Sequence, residues 1–347
     1  MRGFWKSITD KYGYPKVFIT LFLLILCILA VVQKQNLPGL IKDSLVRVGM
    51  NGILVLAMIP SINSGTGLNF GLSLGIVCGI LAGCISIEMN LFGLKAFFTA
   101  ILLSIPFSAA VGYAYGLLLN RVKGDEMTIG TYMGFSIVSL MCIGWLLLPF
   151  KSPEMIWAIG GRGLRTTIAL ADRFAKVTDK MMSFNILGEP VPTGTLLLFG
   201  AGCVLMWIFL KTKTGVAMMA AGDNPRFAAA NGINVNRQRI VGTMLSMIIG
   251  GIGIIVYAQS FGFFQLYTGP LMMPFMAISA ILIGGASARK ASISNVVSGT
   301  ILFFSLLAIS LPVINKMMPE GNLSEVVRII VTYGVILYAL TKVGRDD

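Results

Sequence analysis

An all-α polytopic membrane protein, with about ten transmembrane helices in two related halves, is the fold this sequence predicts, and three observations carry it. Of the 347 residues, 56% are hydrophobic and 12% are charged, at a mean hydropathy of +0.85, whereas soluble domains carry roughly 25% charge. The apolar residues gather into runs close to the roughly 20 residues that a helix needs to cross hydrocarbon. Breaks rich in Gly and Ser interrupt those runs at two comparable places, one beginning at Pro60 and one at Gly284.

Taken in order, the runs fall near 17–32, 45–60, 68–87, 94–118, 129–148, 193–210, 240–257, 271–283, 293–311 and 325–340. The first follows a basic segment, 1–16, and has no small-residue cleavage site behind it, so it reads as a retained anchor and not a removable signal. An even number of spans puts both termini on one side. With the termini inside, the inner segments hold Arg2, Lys6, Lys11, Lys16, Arg121, Lys123, Lys211, Lys213, Arg226, Arg237, Arg239, Arg289, Lys290, Lys342 and Arg345. The excess of cations on inner loops therefore predicts cytoplasmic termini. The long segment 150–192 then lies outside. Within it, 168–182 places Leu170, Phe174, Val177 and Met181 at helical spacing, which predicts an amphipathic helix, either lying on the outer membrane surface or receiving a partner.

Composition and motifs also exclude function classes. The net charge of +13 fits loops that meet anionic lipid and calls for no nucleic acid. Cys27, Cys78, Cys84, Cys142 and Cys203 sit in apolar runs at unrelated spacings, which suits neither a disulfide framework nor a metal site. No ionisable group stands at the centre of a run and histidine is absent, which argues against a carrier driven by protons or sodium ions. No Gly-x-x-x-x-Gly-Lys-Ser/Thr loop is present to cradle a nucleotide, so the chain reads as a non-enzymatic subunit that takes any energy it uses from another one.

The two breaks are Pro60-Ser-Ile-Asn-Ser-Gly-Thr-Gly-Leu-Asn-Phe-Gly71 and Gly284-Gly-Ala-Ser-Ala-Arg-Lys-Ala-Ser292. Each follows a short apolar run and precedes a longer one, so 45–148 and 240–340 align as related halves. Gly71, Gly75, Gly79 and Gly83 recur every fourth residue, a spacing that lets helices pack closely.

The stretch from Gly222 to Ile233 departs from the rest. Asn224 or Asp223 is placed to cap a helix, Pro225 suits the first helical position, 226–231 supply about two turns, and Gly232 suits the left-handed stop. A helix this short has no independent stability and is expected to dock against something.

Thr214-Gly-Val-Ala-Met-Met-Ala-Ala-Gly-Asp-Asn-Pro-Arg-Phe-Ala-Ala-Ala-Asn-Gly-Ile-Asn-Val235 resembles the cytoplasmic coupling segment of permease subunits in bacterial ABC importers. The branch is that of the ribose-type, galactofuranose-type and nucleoside-type permeases, with branched-chain amino acid permeases as more distant relatives. Gly124-Asp-Glu-Met127, Tyr132-Met133 and the Asp-Asn-Pro-Arg wording lean toward the nucleoside type. Ile62-Asn-Ser-Gly65 departs from the Gly-Gly-Ile-Asp-Leu-Ser pattern of ribose-type permeases.

The resemblance implies one permease domain over 1–347 in the bacterial inner membrane, with a cytoplasmic coupling segment at 211–239. It implies four partners: ATPase subunits that hold ATP and Mg, a second permease subunit, an extracytoplasmic substrate-binding protein, and the lipid membrane. The chain itself would hold no cofactor or metal. Gly222, Asp223, Asn224, Pro225, Arg226, Phe227, Ala229 and Gly232 would form the ATPase-coupling element. Asn51, Asn63, Ser64, Thr66, Asn69 and Phe70 from the first half, with Phe261, Phe263, Phe264 and Phe275 from the second, would line the translocation path. A nucleoside or a monosaccharide is the expected solute; a branched-chain amino acid or vitamin permease, or a passive channel or scaffold, are the alternatives.

Overall fold

The computed structural model of the protein describes residues 14–157, 163–181, 184–186 and 189–317, together with Val326 and Gly334. Apart from those two residues, the expected run at 325–340 lies outside the described residues, as does the segment 1–13. The described residues are predominantly helical, with four short strands. Its elements are α1 (Tyr14–Val32), α2 (Leu37–Leu56), α3 (Met58–Asn63), a 3-10 turn (Phe70–Leu72), α4 (Ser73–Glu88), α5 (Gly93–Arg121) and α6 (Glu126–Leu147). Then come β1 (Thr167–Ala169), α7 (Val177–Lys180), β2 (Phe184–Ile186), β3 (Glu189–Val191), α8 (Thr193–Lys211), α9 (Lys213–Asp223) and α10 (Pro225–Ala230). The last are α11 (Val235–Phe261), β4 (Phe263–Gln265), α12 (Thr268–Ile283) and α13 (Ile293–Met317).

Among the described residues, 7 helical segments are long and apolar enough to cross a membrane, and Lys16–Val32 and Thr268–Ile283 are shorter apolar helices. This is a multi-pass membrane protein. The expected span at 45–60 proves longer: Leu37–Asn63 runs for 27 residues, about 40 Å at 1.5 Å per residue. That exceeds the roughly 30 Å of hydrocarbon, so the segment is long enough to cross the bilayer before the break that follows. Pro60 to Asn63 are helical, and the irregular backbone is confined to 64–69.

Small residues decide which helices sit at the centre. A Cβ on Gly75 would lie 2.5 Å from the Met247 carbonyl, and one on Gly79 would overlap the backbone of Gly251, its Cα 2.9 Å away. A Cβ on Gly112 or Gly116 would stand 2.9 and 3.0 Å from the Cα atoms of Met244 and Ile240. Thus α11 touches α4 and α5 backbone to backbone, the packing mode available where lipid removes the hydrophobic drive between helices. In an apolar 18-residue stretch of each span, 83% of the residues are buried for Leu37–Asn63 and for Phe70–Glu88, against 28%, 22% and 28% for Gly93–Arg121, Glu126–Leu147 and Thr193–Lys211. The last three are apolar all round and form the rim.

On the face where α4 ends and α5 begins, the described part of the expected amphipathic helix at 168–182, residues 168–181, does not form one continuous helix. Instead β1 pairs antiparallel with β4, Ile168 opposite Phe264, and Lys176 turns the chain with φ 55° before the single turn α7. Ile168, Leu170 and Phe174 are fully buried in the core, while Met181 is exposed. Alternation of Thr167, Ile168, Ala169 and Leu170 between solvent and core is the two-residue period of a strand. Two polar clusters pin this face. Arg173 Nε meets Glu154 Oε2 at 2.7 Å and its Nη1 donates to Asn90 Oδ1. The Asp179 carboxylate accepts from Thr195 and Ser260 hydroxyls.

Candidate functional site

On the opposite face, four segments surround a cavity of about 720 Å³: the turn after α3 (Ser64 to Gly67), the α5–α6 loop (Lys123 to Thr128), the α9–α10 junction (Ala221 to Pro225) and Ala288–Arg289 beyond α12, with Arg239 of α11 in its wall. The helix α10 stands at its edge. Asn224 is the residue that caps it, its Oδ1 accepting from Phe227 N at 3.0 Å, with Pro225 in the first turn. Asp223 instead ends α9. Gly232 closes the segment at φ +78°, in the left-handed region that costs most residues free energy. Arg226, Ala229 and Phe227, the last 65% exposed, present an outward face, while Ala228 is buried.

Behind α10, Gly222 is buried and sits directly on the turn. A Cβ there would overlap the Asn63 carbonyl and stand 2.9 Å from Gly65 N. Gly65, at φ +80°, returns the contact, its own Cβ position 3.1 Å from Gly222 Cα. No side chain comes between the two backbones. From α11, Gly242 leaves just enough room for the turn, since a Cβ would lie 2.6 Å from Pro60 O. Inside the turn, Ser61 Oγ donates to Gly67 O at 2.8 Å, and Ser64 Oγ and Thr66 Oγ1 both donate to Ser61 O at 2.9 Å.

Two long-range polar contacts fix the turn further. Asn63 Nδ2 donates to Ala291 O at 2.9 Å while its Oδ1 accepts from Ala291 N at 2.9 Å, so the two breaks in the spans are joined by one buried amide. Arg239, 8% exposed, places Nη1 3.1 Å from Gly65 O and Nη2 3.3 Å from Leu119 O and 2.5 Å from Glu126 Oε1. Arg239 thus ties α11, the turn, the end of α5 and the start of α6 together. Its charge is matched by Glu126, as a buried guanidinium requires.

The residues expected to line a path do not form one surface. Ser64 and Thr66 border the cavity. Asn51 is buried and bonds back to Arg47 O, and Asn69 Nδ2 donates to Ser246 Oγ at 2.8 Å. Phe70, Phe275 and Phe135 form a half-exposed aromatic group, with centroids 5.7 and 6.2 Å apart in the two pairs. Phe261 and Phe263 stack at 4.4 Å on the far face. Phe264 is a correction: it is fully buried, edge-on to Phe174 and filling the space above Gly83, because β1 pulls that side of β4 into the core. Glu126 belongs to the Gly124-to-Met127 motif and Arg239 to the inner cations, but the pairing of the two was not expected from sequence. The available signal was helical phase: Arg237 and Arg239, two positions apart, point to different sides, and Arg237 is exposed while Arg239 is buried.

A family model described as branched-chain amino acid transport system / permease component matches residues 40–339. The chain belongs to that family. Among curated relatives, the guanosine ABC transporter permease protein NupQ of Bacillus subtilis (strain 168) is 28% identical over 155 residues, 44% of this chain and 46% of the relative. The nucleoside ABC transporter permease protein NupC of Lactococcus lactis subsp. cremoris (strain MG1363) is 33% identical over 108 residues, 30% and 33% of the two chains. The autoinducer 2 import system permease protein LsrC of Photorhabdus laumondii subsp. laumondii is 26% identical over 203 residues, 54% and 60%. The chain thus spans about half or less of the length of the first curated relatives it matches. No solved structure matches.

Proposed function

We propose that this permease-family chain is the membrane-spanning subunit of an ATP-driven importer for a small polar solute, a nucleoside or a monosaccharide, delivered by an extracytoplasmic binding protein. The observation that carries the reading is α10: a capped helix with an exposed Phe227 and Arg226, seated through Gly222 on a buried turn between two spans. A channel needs no such platform. In this reading a paired copy or homologue encloses the path, ATPase subunits holding ATP and Mg grip α10, and Gly222 to Gly232 transmit their closure. The nucleoside preference rests on the two relatives whose names say guanosine and nucleoside.

The face bearing α10 is then cytoplasmic, as are both termini. Single cysteines at Arg226 and Lys176, both exposed, are expected to react with an impermeant thiol reagent from opposite sides of the membrane, Lys176 from outside. Labelling of both from one side removes the orientation. For the coupling role, Arg226→Glu is expected to abolish co-purification of the ATPase subunit while insertion is unaffected. Removing a charge from a buried interfacial pair costs about 2–5 kcal/mol, so affinity should fall by a factor of roughly thirty or more. Undiminished recovery with normal transport would leave α10 as a connecting loop.

A further inference from the structure

Asn63 is expected from its polarity and position to touch passing solute, yet its side chain is spent elsewhere. Both of its amide atoms are paired with the backbone of Ala291, 228 positions away, and the residue is 5% exposed. Its own carbonyl lies against Gly222 at the end of α9, where no side chain fits between. Asn63 therefore has the segment that carries α10 on one side and the break after α12 on the other. Beside it, Gly65 O is held by Arg239 at 3.1 Å, which binds the turn to α5 and α6 through Leu119 and Glu126.

Contacts of this kind transmit displacement. Two backbones meeting at Gly222 and Gly65 have no flexible side chain to absorb a shift, and packed interiors respond to a push by moving as a body. A reciprocal amide pair resists both separation and sliding, because either one breaks two hydrogen bonds at once and strands buried donors and acceptors. We propose that Asn63 is a positioning residue, a mechanical joint that carries movement of the α9–α10 segment into the second half of the permease by way of Ala291, and is not a contact for solute. This rests on the importer reading above, and it adds how the pull reaches residues that α10 does not touch.

The joint and the solute contact differ in what their loss does to kinetics. In the complete complex reconstituted in vesicles with its ATPase and binding protein, Asn63→Leu keeps the shape and loses both hydrogen bonds. It is expected to leave ATPase co-purification and the half-saturating concentration of solute within twofold of the parent, and to lower maximal uptake and solute-stimulated hydrolysis tenfold or more. Gly222→Ala, whose Cβ would press on the Asn63 carbonyl from the α9 side, is expected to lower maximal uptake and solute-stimulated hydrolysis to a similar extent with half-saturation within twofold of the parent. Asn63→Ser, which adds no bulk, takes the place of Asn63→Leu if that variant does not assemble. A shift in half-saturation or in solute preference at Asn63 with maximal rate retained would overturn the proposal, as would unchanged uptake in the Asn63 and Gly222 variants. Failure of the unaltered chain to recover an ATPase would instead overturn the importer reading before any variant is made.

Discussion

Arg239→Met should be the most destabilising single change on the α10 face, lowering stability by about 3–5 kcal/mol, the usual result of removing one partner of a buried ion pair. Methionine fills much of the volume, so packing alone would predict a small loss. The larger effect comes from what is left behind: the Glu126 carboxylate, whose side chain is 16% exposed, loses its counter-charge, and Gly65 O and Leu119 O lose their donor. Adding Glu126→Gln to Arg239→Met should recover part of the loss, since the stranded charge is gone while the stranded carbonyls remain. Thermal unfolding of the detergent-solubilised protein measures both. A single variant as stable as the parent would show that Arg239 is solvated.

Gly79→Val is expected to be similarly severe for a different reason. A branched side chain there enters the backbone of α11 at Gly251 and the side chain of Ile254, so α4 and α11 must separate along their contact. Overpacking costs about 1–3 kcal/mol where neighbours can yield, and more where the obstacle is main chain. Gly200→Ala in α8 is the matched control. It meets nothing within 4 Å and is exposed, so it should be neutral or stabilising by up to about 1 kcal/mol through helix propensity. Recovery of monodisperse protein after mild heating separates the pair; equal behaviour would remove the case for glycine-mediated packing at the centre.

What the sequence made legible was local. The cap, proline and stop of α10 lie within nine positions of one another, 224–232, and each residue type has one geometric use there. Gly75 and Gly79 were readable as packing positions because a four-residue spacing keeps them on one helix face. Long apolar runs announced their helices, with ends extended by several residues once capping groups such as Asn36 and Asn234 were included. What stayed hidden was set by partners far along the chain. Residues 168–182 satisfy a helical period and, in their first four positions, a strand period as well; only pairing with 263–265 decides it. Arg239 reads as one more cation near a span end until Glu126, 113 positions earlier, is brought to it. The pairing of Asn63 with Ala291 was hidden for the same reason: a polar side chain beside an apolar run advertises a partner without naming it.

The turn at 64–69 also has a consequence for biosynthesis. It leaves the ribosome early, but its anchors come late: Arg239 follows Gly65 by 174 positions and Ala291 follows Asn63 by 228. At 5–20 residues per second, translation alone separates the second pair by roughly 10–45 s. Through that interval the Asn63 amide and Gly65 O lack their late partners and have water as the substitute, since each unpaired polar backbone group in hydrocarbon costs several kcal/mol. The first half is therefore inserted before it can be finished. The Asn63 amide waits for Ala291, and a chain that stops short of that residue leaves it without either of the two hydrogen bonds it makes in the finished fold.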